Sequence, residues 1–139
     1  MFDTILVGTD GSDRAEAALD YAISLGAAVG ATVHVVTVVE TSENPMKFGT
    51  AEVDEINAAA DAIVDEVVAA YDGEAVDIRG DVRRGRPTDA LLAYANEIDA
   101  AMIVVGERGA DGVTGALLGS TADRLARTAD VPVTIVPVE

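Results

Sequence analysis

Thr4-Ile5-Leu6-Val7-Gly8-Thr9 is a short apolar run that stops at Asp10-Gly11-Ser12, and from Asp13 onward the period of the apolar residues changes. The run reads as a buried strand. After it, Ala15, Ala18, Leu19, Ala22, Leu25 and Val29 fall at helical spacing, with Ser12 placed to cap the helix and Gly30 placed to end it. Thr32 to Val39 is then β-branched almost throughout, which reads as a second strand covered on both faces. Strand, helix and strand within so few residues define one βαβ unit, and the rest of the chain repeats the alternation.

Outward from that unit, Val53, Ile56, Ala60, Ile63, Val64 and Val67 mark a second helix. Its outer face carries Glu52, Asp54, Glu55, Asp61, Asp65 and Glu66, read as a solvated surface. Val76 to Arg83 is a weaker strand, and Pro87 suits the first turn of a helix reaching about Ile98. Ala101 to Val105 is a strand, Ser120 to Ala129 a helix and Val131 to Val138 a last strand. Near-continuous apolar strands alternating with helices predict a doubly wound, five-stranded parallel α/β sheet with helices on both faces. In such sheets ligands sit beyond the carboxyl ends of the strands.

Composition narrows the partners. The 139 residues carry 25 acidic and 9 basic side chains, a net charge of −16, with no cysteine and half the residues hydrophobic. The length fits one domain, residues 1–139, which buries roughly 68–70% of its chain surface. Disulfides and cysteine-based zinc sites are excluded. The charge repels nucleic acid and anionic membranes, and no apolar run reaches the roughly 18 residues of a membrane span. Without a leader pattern, the chain reads as cytoplasmic. Dispersed acids beside a single lysine, Lys47, match the composition of halophilic proteins.

The densest chemical signal is Gly106, Gly109, Gly112, Gly115 and Gly119, five of the 13 glycines, leading into Ser120-Thr121. Such a loop lets backbone N–H groups approach a ligand, and it delivers the ligand to a helix N-terminus, where donors and the helix dipole favour phosphate. The plain alternative is a glycine-rich turn, weakened here by the loop's place after a strand. Neither GxxxxGK[ST] nor GxGxxG is present, so a P-loop NTPase or dinucleotide dehydrogenase is disfavoured.

The spacing Gly106-x2-Gly109-x9-Gly119-Ser120 resembles the signature of the ATP-binding branch of the universal stress protein family. The opening Ile5 to Ser12, Gly85-Arg86-Pro87, Ile103-Val104-Val105-Gly106 and the closing Val131 to Val136 resemble the same family in order along the whole chain. The resemblance implies strand order 3-2-1-4-5 and a nucleotide-sensing regulatory module. Within it, Thr9 and Asp10 end the first strand, with Asp10 on the ribose, and Val38 meets adenine through its backbone. Val105, Gly106 and Gly109 line ribose and phosphates, while Gly119, Ser120 and Thr121 hold phosphate. ATP is the implied ligand, with Mg2+ or Mn2+ held through its phosphates. Glu107 and Thr121 depart from the family pattern; Glu107 is expected to point outward, and Arg108 to offset phosphate charge.

The resemblance further implies a homodimer through the edge strand Val131 to Val138, with an unidentified protein partner left open. Two other functions stand beside the nucleotide sensor. A slow ATPase or phosphotransferase needs a base near the γ-phosphate, and Glu107 is the sole nominee. A scaffold that no longer binds nucleotide is the other. His34 reads as a helix-facing structural histidine. Arg79, Arg83, Arg84 and Arg86 read as a local salt-bridge surface, and Arg79-Gly80-Asp81 as a coincidental tripeptide within a strand.

Overall fold

Alternation along each strand sends neighbouring side chains into two different cores, and the helices are distributed to match. The computed structural model describes residues 3–10, 13–39, 50–71, 73, 76–107 and 119–137; of 13–14 and 50–57 it describes the helical backbone alone. The elements are β1 (Thr4–Gly8), α1 (Asp13–Val29), β2 (Thr32–Val39), α2 (Thr50–Ala70), β3 (Asp77–Arg84), α3 (Pro87–Glu97), β4 (Met102–Gly106), α4 (Ser120–Thr128) and β5 (Val133–Val136). The strands form one sheet in the order β3-β2-β1-β4-β5, with every neighbouring pair parallel. This is the expected doubly wound architecture, and the order reverses between β1 and β4.

On one face, Ile5, Val7, Val33, Val35 and Val104 pack beneath Ala18, Leu19, Ala22 and Ile23 of α1, joined by Val67 of α2. On the other, Leu6, Val36, Ile103 and Val105 meet Leu91, Tyr94 and Ala95 of α3 and Ala122 and Leu125 of α4. Each fully buried aliphatic side chain contributes roughly 1.5–3 kcal/mol relative to exposure, so the two layers hold the sheet between them. Gly30, at φ 73°, closes α1 in the left-handed region that its missing Cβ permits. Gly80 has a different use: a Cβ there would collide with Val64 Cγ1, so α2 lies directly on the β3 backbone.

Most element boundaries fall within a residue of those the spacing predicts. The exception is β5, which is shorter than the expected Val131 to Val138. Pro132 and Pro137 lack the N–H a ladder needs, so pairing is confined to Val133–Val136. The Pro132 carbonyl still accepts from Ile103 N–H at 2.9 Å. Ser12, the expected cap of α1, lies outside the described residues.

Candidate functional site at the carboxyl ends of β1 and β4

The last paired residues of β1 and β4 are Val7 and Val104, and two residues further on stand Thr9 and Gly106. Thr9 is buried, and its N–H donates to the Val36 carbonyl at 2.9 Å, which fixes the first turn after β1 against β2. Gly8 is paired with Val36, so Asp10 and Val38 stand two residues beyond on adjacent strand tops. Asp10 is exposed and Val38 half-buried. Gly106 is paired with Val136 of β5, and the next N–H, that of Glu107, donates to the Val136 carbonyl at 2.9 Å.

The start of α4 is brought back to this point by one bond. Gly119 N–H donates to the Glu107 carbonyl at 2.7 Å. Gly119 is itself the buried N-cap, extended at φ −62° and ψ 156° with no side-chain cap, and its carbonyl accepts from Asp123 N–H at 3.0 Å. The N–H groups of Ser120, Thr121 and Ala122 therefore precede the first donor with an acceptor inside the helix. Such a turn carries the positive end of the helix dipole. Asp123, the acid in that turn, is paired with Arg127 at 3.1 Å, which offsets its negative charge.

Thr9, Asp10, Val38, Gly106, Gly119, Ser120 and Thr121 thus share the carboxyl end of the sheet. Ser120 is exposed and Thr121 half-buried. Val105 has its side chain in the core shared with α3 and α4, leaving its backbone as what it can offer a ligand. Arg108 and Gly109, with Gly112 and Gly115, lie outside the described residues. Thr37 is the residue that the sequence pattern concealed. Among the described residues its hydroxyl is buried and meets no hydrogen-bond partner, yet in sequence it is one β-branched residue in a β-branched strand.

Away from this end, His34 Nδ1 lies 2.9 Å from the Tyr94 hydroxyl, with the rings edge-to-face at 5.7 Å. Burial, aided by the Arg79 guanidinium, holds His34 below its ordinary value; Asp77 and Asp81 oppose the shift. Burial and then the Asp81 carboxylate raise Tyr94, against the charge of Arg83. Arg83 stacks over the Tyr94 ring at 4.5 Å and pairs with Asp81 and Glu97. His34 is therefore a structural, helix-facing histidine, and Arg79 and Arg83 belong to a salt-bridged surface. Among the described residues, no cluster of three or more His, Asp or Glu is placed to hold a metal, and no helix is long and apolar enough to cross a membrane.

A parallel sheet wound on both faces, whose strand order reverses between β1 and β4, defines the doubly wound α/β class whose ligands bind at strand carboxyl ends. Within that class the model of the universal stress protein family matches residues 1–137, and the chain belongs to this family. Universal stress protein Rv1636 of Mycobacterium tuberculosis is 29% identical over 140 residues, covering 97% of this chain and 96% of that protein. A universal stress protein solved in complex with cAMP superposes with a TM-score of 0.77 at 32% identity, over 99% of this chain and 98% of that one. The universal stress protein from Archaeoglobus fulgidus in complex with dAMP shares the fold, with a TM-score of 0.73 at 24% identity over 98% and 99% of the two chains.

Proposed function

We propose that this chain binds an adenine nucleotide, ATP in the first instance, at the β1–β4 crevice and serves as a nucleotide-sensing regulatory module in a stress response. The observation that carries the reading is the Gly119 N–H to Glu107 carbonyl bond, which sets the N-terminal turn of α4 beside the end of β4. The relative bound to cAMP, at 32% identity, supports an adenine ligand. Adenine meets the Val38 backbone, the ribose lies by Thr9 and Asp10, and the Val105 and Gly106 backbone passes beneath it. The phosphates fall to Arg108, Gly109, Gly119, Ser120 and Thr121, with Mg2+ or Mn2+ held by phosphate oxygens and water.

Backbone donors suit this acidic chain because they bring partial positive charge to a polyanion without adding a basic side chain. The net charge of −16 fits work in the cytoplasm of a halophile, where salt screens self-repulsion. The edge strand within Val131 to Val138 is the proposed homodimer contact. Calorimetry with ATP, ADP, AMP and cAMP, with and without Mg2+ in concentrated salt, tests the site. Saturable binding of an adenine nucleotide that is lost in Gly119→Val is the expected result. No binding by the unaltered protein, or undiminished binding in the variant, overturns the reading.

A further inference from the structure

The sheet has a second edge, β3, and seven of its eight residues, Asp77-Ile78-Arg79-Gly80-Asp81-Val82-Arg83, place an acid and then a base on either side of Gly80. Two hydrogen bonds orient this strand. Gly85 N–H donates inward to the Val39 carbonyl at 3.0 Å, whereas Val82 N–H is met by the Asp81 carboxylate at 2.8 Å. Odd-numbered residues therefore bond toward β2, and Ile78, Gly80 and Val82 aim N–H and C=O at the edge with which no strand among the described residues pairs. By strand alternation, Asp77, Arg79, Asp81 and Arg83 share one face, where Arg79 pairs with Asp77 at 3.3 Å and Arg83 with Asp81 at 3.0 Å.

We propose that β3 is a self-complementary edge that pairs antiparallel with β3 of a second copy of this chain, about a two-fold axis through Gly80. In that register Asp77 faces Arg83 of the second copy, Arg79 faces Asp81, Ile78 faces Val82, and Gly80 faces itself. Each of these four charged residues meets its opposite, Arg84 falls opposite Val76, and the two-fold repeats each pair. The charged pairs fall at the non-hydrogen-bonded positions, where side chains come closest, while Ile78, Gly80 and Val82 exchange the backbone bonds. Sliding the strands by two residues either way sets Asp77 against Asp81 and Arg79 against itself, or Arg79 against Arg83 and Asp81 against itself. Of the registers that keep this hydrogen-bond alternation and pair five or more of these seven residues, this one alone is free of like-charge contacts.

The helix layer accommodates the pairing. α2 packs on both β2 and β3, so its axis runs near the boundary between them. With strands about 4.8 Å apart, the two α2 axes stand about 10 Å apart across the two-fold, a helix-packing distance. Val64, Asp65, Val68, Ala69 and Gly80 line a groove of about 490 Å³ there, which the second copy's α2 fills. The two Asp65 carboxylates repel across it, as do the whole chains at −16 each, so association strengthens as salt is raised. Charged residues on an edge commonly guard it. Here the order of the charges selects a partner, and the Asp81 carboxylate on Val82 N–H is the guard to be displaced.

The absence of cysteine makes the contact directly testable. Asp77→Cys and Arg83→Cys are prepared separately, mixed in moderate salt under mild oxidation, and the products resolved on non-reducing gels. A mixed disulfide dimer is expected, far exceeding the homodimer of either variant alone, with the second Asp77–Arg83 pair still intact. Adding Arg79→Asp to both chains slows cross-linking by at least about tenfold. Placing Arg79→Asp in one chain and Asp81→Arg in the other restores it. Asp77 and Arg79 are exposed, Asp81 and Arg83 half-buried with Arg83 against Tyr94 and Glu97, so circular dichroism and urea midpoints check that each variant folds. Failure of the mixed dimer to form at hundreds of micromolar, equal cross-linking by the separate variants, or indifference to the charge changes would each overturn the proposal.

Discussion

Tyr94 and His34, from α3 and β2, are joined by a 2.9 Å hydrogen bond between side chains 60 residues apart in the chain. The two groups are shifted in complementary directions, the imidazole toward its neutral form and the phenol toward its protonated form. With both neutral, the Tyr94 hydroxyl donates to Nδ1 in the tautomer with its proton on Nε2, and Nδ1–H donates to the hydroxyl oxygen in the other. Arg83, 4.5 Å over the centre of the phenol ring, adds a cation–π contact to the same cluster.

This pair sets a pH dependence whose sign follows from linkage. The folded His34 binds a proton less readily than the unfolded histidine with its ordinary value of 6.5. Its contribution to stability is therefore full above that value and is lost as pH falls from it toward the lower folded value. Urea midpoints followed from about pH 8 to about pH 5 will fall through that window. In His34→Gln this component of the slope is expected to vanish while the carboxylate-driven loss at lower pH persists. Tyr94 predicts the opposite limb, a loss of stability as pH rises past 10, reduced in Tyr94→Phe.

A second prediction concerns the contact of Gly80 with Val64. Gly80→Ala puts a methyl where Val64 Cγ1 already lies, and both backbones belong to regular elements. Overpacking of this kind costs about 1–3 kcal/mol. Val64→Ala empties the same space, so the double variant should be more stable than the sum of the single effects implies. A double-mutant cycle by urea denaturation measures the coupling, and additivity would show that α2 moves away from β3 at no cost.

The alternation of periods made the sheet and its helices legible because burial forces it: strands covered on both faces must be apolar, and helices above them apolar at every third or fourth residue. The order of the strands was legible through the family resemblance, and the glycine spacing that ends at Gly119-Ser120 pointed to the carboxyl end of the sheet, where Gly119 stands beside Glu107. Tertiary facts were not. That Gly119 returns to Glu107, and that His34 meets Tyr94, depends on contacts no local pattern encodes. Gly80 looked like an accident inside Arg79-Gly80-Asp81 until the closeness of Val64 gave it a packing reason. Thr37 was invisible because a threonine and a valine serve a strand equally well, and the burial of its hydroxyl emerges only when its surroundings are known.

That hydroxyl gives a third prediction. A buried polar atom that, like this one, meets no partner among the described residues carries a desolvation cost of about 1–3 kcal/mol. Thr37→Val keeps the branched shape and removes the oxygen. The variant should unfold at a higher urea concentration than the natural chain, with an unchanged slope of the transition. A lower midpoint would mean that the hydroxyl is bonded in solution.

The last prediction separates the ribose contact from the rest of the proposed site. Asp10 is exposed at the carboxyl end of β1, level with Val38 on the neighbouring strand, and a carboxylate there can accept from two vicinal hydroxyls. Hydrogen bonds to a charged group contribute about 1.5–3 kcal/mol, so Asp10→Ala should weaken ATP binding by roughly 10- to 100-fold. Removing the 2′-hydroxyl from the ligand should remove part of that same energy. Calorimetry of the natural chain and the variant with ATP and 2′-deoxy-ATP closes a cycle in which the two losses are not additive. Additive losses would place the 2′-hydroxyl elsewhere, and an undiminished affinity in Asp10→Ala would remove this carboxylate from the site altogether. Because neither change touches Gly119 or the first turn of α4, inorganic triphosphate competition should be the same in both proteins, tying any difference to the nucleoside end of the ligand.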